Sequence, residues 1–332
     1  MAIDPAPLPR QPAAPLAGSL GPVPATALAA RLWQYQRERF PVLRHGLLIV
    51  VFSGAAVLYA ARLAGGTVGA ETLLAAWLSS FCCFAQMRVA DEFKDRLDDR
   101  RHRPYLPVPR GLVSLTELAW LAGLAALLQL LLALAWPGAL PALLLLWGYL
   151  GLMTLEFGCR RWLRAHQLAY VLSHMPIVPL IAFNAMAFAG PMPLRSLSTL
   201  LPYLLACFSN GLVLELARKF RWPEGEEPGV ETYSRLLGRA GALVLWLLVL
   251  LVSAALVLLA AQPIGADGLL LPLLPVLLLL VLALAWPALR PGSGRPPPPV
   301  RGGGGPLDRP AAVWILASYL LLGWLPLLQV GR

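Results

Sequence analysis

Runs of apolar residues, broken at regular intervals by glycine, proline and charge, dominate the pattern along the chain. Spanning hydrocarbon takes about 20 mostly apolar residues in a helix. Segments near 43–64, 72–90, 115–136, 140–157, 167–189, 198–217, 240–262, 269–289 and 311–330 meet or approach that length. Gly65-Gly66, Pro137-Gly138, Gly190-Pro191 and Gly265-Ala266-Asp267 supply turns between them. The pattern predicts an all-α polytopic membrane bundle of about nine transmembrane helices at 41–332. A Pro/Ala-rich tail at 1–40 precedes it, and a Pro/Gly-rich connector at 290–310 lies within it.

Composition agrees with lipid as the solvent. The 332 residues are 58% hydrophobic and 13% charged, whereas soluble domains carry about 25% charged residues. A water-soluble fold could not bury so much apolar surface. The formal charge of +10 suits anionic headgroups; no basic patch joins a nucleic-acid-binding motif. Charge also predicts orientation. With the N-terminus inside, only Arg62, Arg195 and Arg332 of the 27 Lys and Arg fall on the outer side, leaving 24 inside. The tail lacks the layout of a signal peptide. The four cysteines form no C-x-x-C pair, so neither a zinc site nor a disulfide framework is supported.

Two charged stretches carry the candidate chemistry, and both follow even-numbered helices, so both emerge on one face. After the second segment comes Asp91-Glu92-Phe93-Lys94-Asp95-Arg96-Leu97-Asp98-Asp99, followed by Arg100, Arg101, His102, Arg103, Tyr105 and Arg110. Asp91, Asp95 and Asp99 are spaced i, i+4, i+8, one face of a continuing helix. Carboxylates so placed repel unless a cation sits among them, and Mg2+ typically takes one or two carboxylates together with substrate phosphates. Arg103 and Arg110 offer forked contacts to such phosphates. The competing reading is a solvated, salt-bridged helix end. After the sixth segment come Glu215, Arg218 and Lys219, then Glu224, Glu226 and Glu227. Two such regions facing each other across a bundle would clamp a diphosphate.

At these residues the chain resembles the UbiA superfamily of intramembrane prenyltransferases. The family's first motif, Asn-Asp-x-x-Asp-x-x-x-Asp, is similar to Asp91, Glu92, Asp95 and Asp99, and Pro107-Val108-Pro109-Arg110-Gly111 resembles its downstream turn. Gly229-x-x-Thr232 with Gly238 resembles part of its second region. Two departures stand out: Leu106 replaces the arginine before the turn proline, and Glu215-x-x-x-Lys219 stands where two aspartates are usual. The resemblance implies a nine-helix bundle that moves a prenyl group from a prenyl diphosphate to a lipophilic acceptor, with aromatic and quinone-type molecules among the candidates. It implies Mg2+ held by Asp91, Glu92, Asp95 and Asp99, and diphosphate met by Arg103, Arg110, Arg218 and Lys219. A lysine at 219 either neutralises phosphate in place of one cation or marks a scaffold turned to non-catalytic binding or transport of an isoprenoid or other lipid. It further implies residence in a bacterial-type inner or plasma membrane, with the acidic loops cytoplasmic.

A few polar residues lie deeper, where ionisable groups are costly and often functional. Glu156 reads either as an interfacial ion pair with Arg160 and Arg161 or as part of a site. His174 reads either as a hydrogen-bonding partner near Pro176 and Pro179 or as a residue that orients or deprotonates an acceptor. Phe84, Tyr149 and Phe183 are positioned to line an apolar cavity, where aromatic faces stabilise a nearby cation. The Asp-Gly-x-x-Ala-Arg core of CDP-alcohol phosphotransferases is absent.

Overall fold

A computed structural model describes residues 27–190, 197–226, 231–289 and 305–326. These residues are mostly helical, with no strand among them. The helices, in chain order, are α1 Leu28–Arg39, α2 Val42–Leu63, α3 Ala70–Lys94, α4 Arg96–His102, α5 Leu115–Ala135, α6 Ala139–Thr154, α7 Arg160–Ala165, α8 Gln167–His174, α9 Ile177–Met186, α10 Leu197–Arg218, α11 Tyr233–Ala261, α12 Asp267–Leu289 and α13 Asp308–Tyr319. Among the described residues, seven helices are long and apolar enough to cross a membrane, counting α8 and α9 as one span that reaches Ala189. The eighth and ninth apolar segments are shorter: α6 has 16 residues, and α13 passes into a π turn at Leu320–Trp324.

The core forms around α2, which packs on α3, α9 and the π turn after α13. Its apolar window is 67% buried, against 17% for α5 and 22% for α12, although all three are apolar enough to cross a membrane. An all-round apolar helix is buried by protein or by lipid, and here the difference separates the central helix from the peripheral ones. Small residues let α2 approach the π turn after α13 closely. A side chain added at Gly54 would run into the Trp324 indole, and one at Gly323 into Ala55, the close contact that small residues permit in membrane interfaces.

Polar side chains inside the bundle are paired between helices. Asn210 (α10) donates to Ser318 Oγ of α13 at 3.0 Å and accepts from Ser253 of α11 and the Trp314 indole of α13. Asn184 donates to Ser79 Oγ, and Gln129 to the Ser79 carbonyl. Such bonds fix helix positions where no water is available to replace them.

Several boundaries differ from the hydropathy pattern. α3 runs on to Lys94, so Asp91 and Glu92 belong to the last turn of a spanning helix rather than to a loop. α11 begins at Tyr233, before the apolar run, and bends at Gly238, whose φ of 70° and ψ of 162° suit glycine. The stretch read as tail contains α1, an amphipathic helix that hydropathy alone does not signal. The tail before residue 27, most of the Pro/Gly connector and the chain after 326 lie outside the described residues.

Candidate functional site at the charged end of the bundle

The acidic stretch after α3 keeps a near-continuous helical path. Asp95 breaks α3 from α4, yet its amide donates to the Asp91 carbonyl, that of Asp99 to Asp95, and that of Arg103 to Asp99, each at 2.8 Å. Asp91, Asp95 and Asp99 therefore follow one another at successive turns, and their surroundings set them apart. Asp99 is buried and meets Arg103 at 2.6 Å. Asp91 is half-exposed, with only long contacts to Arg88 at 3.7 Å and Lys94 at 3.9 Å. Asp95 is half-buried, and among the described residues its carboxylate makes neither a hydrogen bond nor an ion pair. Burial, reinforced by the neighbouring Asp91 charge, raises its pKa above the ordinary carboxylate value. The pKa of Asp99 is also raised by burial, with Arg103 opposing.

Glu92 is engaged elsewhere. It is 1% exposed. Its Oε1 accepts from Arg39 Nε at 2.7 Å and from the Tyr35 hydroxyl at 3.5 Å, with Arg88 at 3.5 Å. Arg39 and Tyr35 belong to α1, which thus straps across the acidic stretch. Two further ties hold it there. Arg31 reaches Glu117 at 2.6 Å, and Glu38 receives both nitrogens of Arg110, at 2.7 and 2.8 Å. Arg110 also holds the Tyr105 carbonyl at 2.7 Å, which closes the turn before the Ser114–Glu117 capping box of α5. The Arg110 bonds keep the Glu38 carboxyl below its usual pKa.

The second charged region neutralises itself. Glu215 meets Lys219 at 3.0 Å and Arg218 at 3.1 Å, one helical turn along the same chain. Glu226 accepts from the Thr232 hydroxyl at 2.7 Å and from Ser234 at 2.9 Å. The Arg221 amide donates to Ser234 Oγ, and the Tyr233 amide to the Lys219 carbonyl. Glu226 therefore closes the loop that starts α11. Of Glu224 only the backbone is described, in a 3-10 turn, and Glu227 lies outside the described residues.

The two regions meet at Tyr170 of α8. Lys94 Nζ donates to the Tyr170 hydroxyl at 2.6 Å and lies 5.2 Å from the ring centre. Lys219 Nζ lies 5.7 Å from the same centre and 5.7 Å from that of Tyr233. His174 stacks on Tyr170 with centroids 3.9 Å apart. Glu156, 2% exposed, faces Lys94 at 3.9 Å and Arg160 at 3.4 Å. The turn that delivers it is strained: Glu156 and Phe157 have φ of 50° and 53°, followed by Gly158 at 72°. A non-glycine residue held there costs on the order of 1–3 kcal/mol and persists only where the surroundings enforce it. Phe157, edge-on to Tyr149 and His174, supplies that enforcement. Sequence reading missed Tyr170, Lys94 and α1; the alternation of aromatic and basic residues around Tyr170 becomes visible only once four helices converge.

Among the described residues no three His, Cys, Asp or Glu side chains gather into a metal-binding group. The donors nonetheless suit a hard cation shared with phosphate, since Asp91 and Asp95 are adjacent carboxylates without strong protein partners and Mg2+ seldom takes more from protein. Arg103 and Arg110 are tied to Asp99 and Glu38; Lys94 and Lys219 lie at the Tyr170 cluster, and Arg218 pairs with Glu215.

The described residues form a helical bundle with apolar spans long enough to cross a membrane and with acidic and basic side chains gathered at one end. The sequence matches the UbiA prenyltransferase family over residues 47–299, and the chain belongs to that family. Its fold is similar to the apo structure of a UbiA homolog from Aeropyrum pernix K1, with a TM-score of 0.62 and 16% identity, covering 85% of this chain and 98% of the other. No individual curated protein matches the sequence.

Proposed function

We propose that this chain transfers a prenyl group from a prenyl diphosphate to a lipophilic acceptor within the membrane. The observation that carries this reading is the Asp95 carboxylate, without a partner among the described residues, one turn from Asp91 and near Lys94, which meets Tyr170 together with Lys219. Asp91 and Asp95 would hold Mg2+, with Lys94 and Lys219 meeting the diphosphate oxygens. Bound Mg2+ would stabilise the charge that develops on the leaving diphosphate as the allylic C–O bond breaks. Tyr170 and Tyr233 present aromatic faces near the same point, suited to a developing carbocation, and the surrounding helices exclude water. The prenyl tail would run between helices towards lipid. The basic inner loops support placement in a bacterial-type inner or plasma membrane, with this site on the cytoplasmic face.

A second reading is a non-catalytic isoprenoid- or lipid-binding protein on the same scaffold. Its support is the second region, where Glu215 is neutralised by Arg218 and Lys219 and offers no carboxylate pair. The deciding experiment measures binding of a non-hydrolysable prenyl diphosphate analogue to the full chain in nanodiscs, with and without Mg2+. Mg2+-dependent binding lost in Asp95→Asn is expected; binding indifferent to Mg2+ and to Asp95 would favour the lipid-binding reading.

A further inference from the structure

The shared helical path of the α3 end and α4 divides its side chains between two flanks. At about 100° per residue, Asp91, Asp95, Asp98 and Asp99 fall on one flank. Phe93, Arg96, Leu97, Arg100 and Arg101 fall on the other. Protein takes up part of the acidic flank: Asp99 meets Arg103, and Asp98 meets Arg164 of α7 at 2.8 Å. The second flank faces outwards. Phe93 is 45% exposed and Leu97 62%. Arg96, Arg100 and Arg101 are exposed too, and among the described residues their guanidinium groups meet no carboxylate and no hydrogen-bond partner. Arg96 and Arg100 stand four apart, where like charges on a helix repel. The flank therefore combines an apolar pair with cations that nothing in the protein offsets.

The order of these residues along the helix matches the layers of a bilayer. α3 has 25 residues, about 37 Å of helix at 1.5 Å per residue, whereas the hydrocarbon layer is about 30 Å thick. Its charged last turns are thus long enough to leave the hydrocarbon, with Phe93 at the headgroup level and the arginines of α4 beyond it. Arginine stems can lie along apolar surface and bring the guanidinium back to a headgroup. α7 repeats the combination beside α4. Its Arg160 holds the Lys94 carbonyl at 2.8 Å. Arg161 is exposed without a partner among the described residues, next to Trp162, which is 53% exposed and stacked on His166 at 4.6 Å. Tryptophan beside arginine suits the membrane–water interface.

We propose that the outer flank of α4, with Phe93 before it, binds the headgroups of anionic phospholipids. A lipid phosphate between Arg96 and Arg100 removes their repulsion, while Phe93 and Leu97 rest against the glycerol and upper acyl region. Lipid fits better than an acidic protein segment because the aromatic side chain stands at the membrane end of the flank and the Arg100-Arg101 pair at the far end. This surface lies outside the diphosphate site, and the proposal does not depend on the transferase reading.

The test offers the full chain, purified in detergent, equal amounts of dioleoylphosphatidylglycerol and dioleoylphosphatidylcholine. Native mass spectrometry then measures which lipid stays bound. The wild type is expected to prefer phosphatidylglycerol. Each arginine near an anionic surface is worth about fivefold, so Arg96→Gln/Arg100→Gln/Arg101→Gln should lower that preference about tenfold or more. Arg37→Gln/Arg44→Gln/Arg235→Gln removes the same charge from other exposed positions and should keep most of it. Should the first triple variant not fold, Arg100→Gln alone, with an expected loss of about fivefold, takes its place. No preference in the wild type, a preference that survives the substitutions in α4, or equal losses in the two triple variants overturns the proposal. The first of these results would leave the flank to an acidic protein partner.

Discussion

The two charged regions contain similar residues and end in different electrostatic states. After α10, the cations that offset Glu215 stand three and four positions along its own helix, so the charge cancels locally. In the loop that follows, Glu226 is absorbed by two hydroxyls, and Glu231 is exposed. After α3, Asp99 likewise meets Arg103 four positions on, but Glu92 is paired from elsewhere, by Arg39 of α1, and among the described residues Asp95 is left without an ion pair. The number of acidic residues therefore does not measure the charge available to a ligand. What matters is which carboxylates the fold has already paired, and in the first region it leaves Asp95 unpaired beside a weakly paired Asp91.

The largest expected effect removes a pairing in the first region. In Arg39→Ala the buried Glu92 loses its closest cation, and breaking a buried pair from one side costs about 3 kcal/mol or more. Thermal unfolding in nanodiscs should show that loss, and Glu92→Gln in the same chain should recover most of it. If Glu92→Gln also left Mg2+-dependent analogue binding intact, Glu92 would be an anchor for α1 rather than a ligand. Loss of that binding in Glu92→Gln alone would restore it to the ligand set.

Next in size is Asp95→Asn, which should weaken Mg2+-dependent analogue binding by about 100-fold, the range seen when metal-site carboxylates are altered. Asp99→Asn should matter less for binding, because Arg103 already occupies that carboxylate. Equal losses in the two variants would show that the pairing seen around Asp99 gives way when ligand binds. In the second region, Lys219→Ala should weaken the analogue by about tenfold, the worth of one charge-assisted contact. The loss should persist at saturating Mg2+. An unchanged affinity would mean that Lys219 serves only Glu215.

How much of this was legible in the sequence depends on the range of the interaction. Helices, their rough limits and the charged face follow from hydropathy and the distribution of Lys and Arg, which act over one segment at a time. The family resemblance also rested on local spacing, as at Asp91, Asp95 and Asp99. The state of each carboxylate did not, because Arg39 lies 53 positions from Glu92 and Tyr170 lies 76 from Lys94. Helix α1 was hidden for a related reason: its value to the fold lies in ion pairs with Glu92, Arg110 and Glu117, not in a long apolar run. The left-handed turn at Glu156 was equally invisible, since neither Glu nor Phe signals positive φ.

The smallest effect, a dependence on pH, separates the same two kinds of carboxylate. Burial raises the pKa of Asp95, so the folded protein holds a proton there at pH values where the unfolded chain has released it. Its favourable contribution to stability is complete below the ordinary aspartate pKa and is lost as pH rises through the folded value. Glu38, held low by Arg110, has the opposite sign: its contribution is present above the ordinary glutamate pKa and is lost as pH falls through its lowered value. Asp95→Asn removes the first term and leaves the second. Without ligand, its thermal stability relative to wild type should therefore increase as pH rises from the ordinary aspartate range towards neutrality. Over the same interval, wild-type affinity for the Mg2+-dependent analogue should increase, because a cation requires the ionised carboxylate. A rise in both would identify Asp95 as a residue kept at a cost to stability for the sake of binding. A relative stability that stays flat or falls while affinity rises would place the titration on another group and return Asp95 to the class of paired, structural carboxylates found after α10.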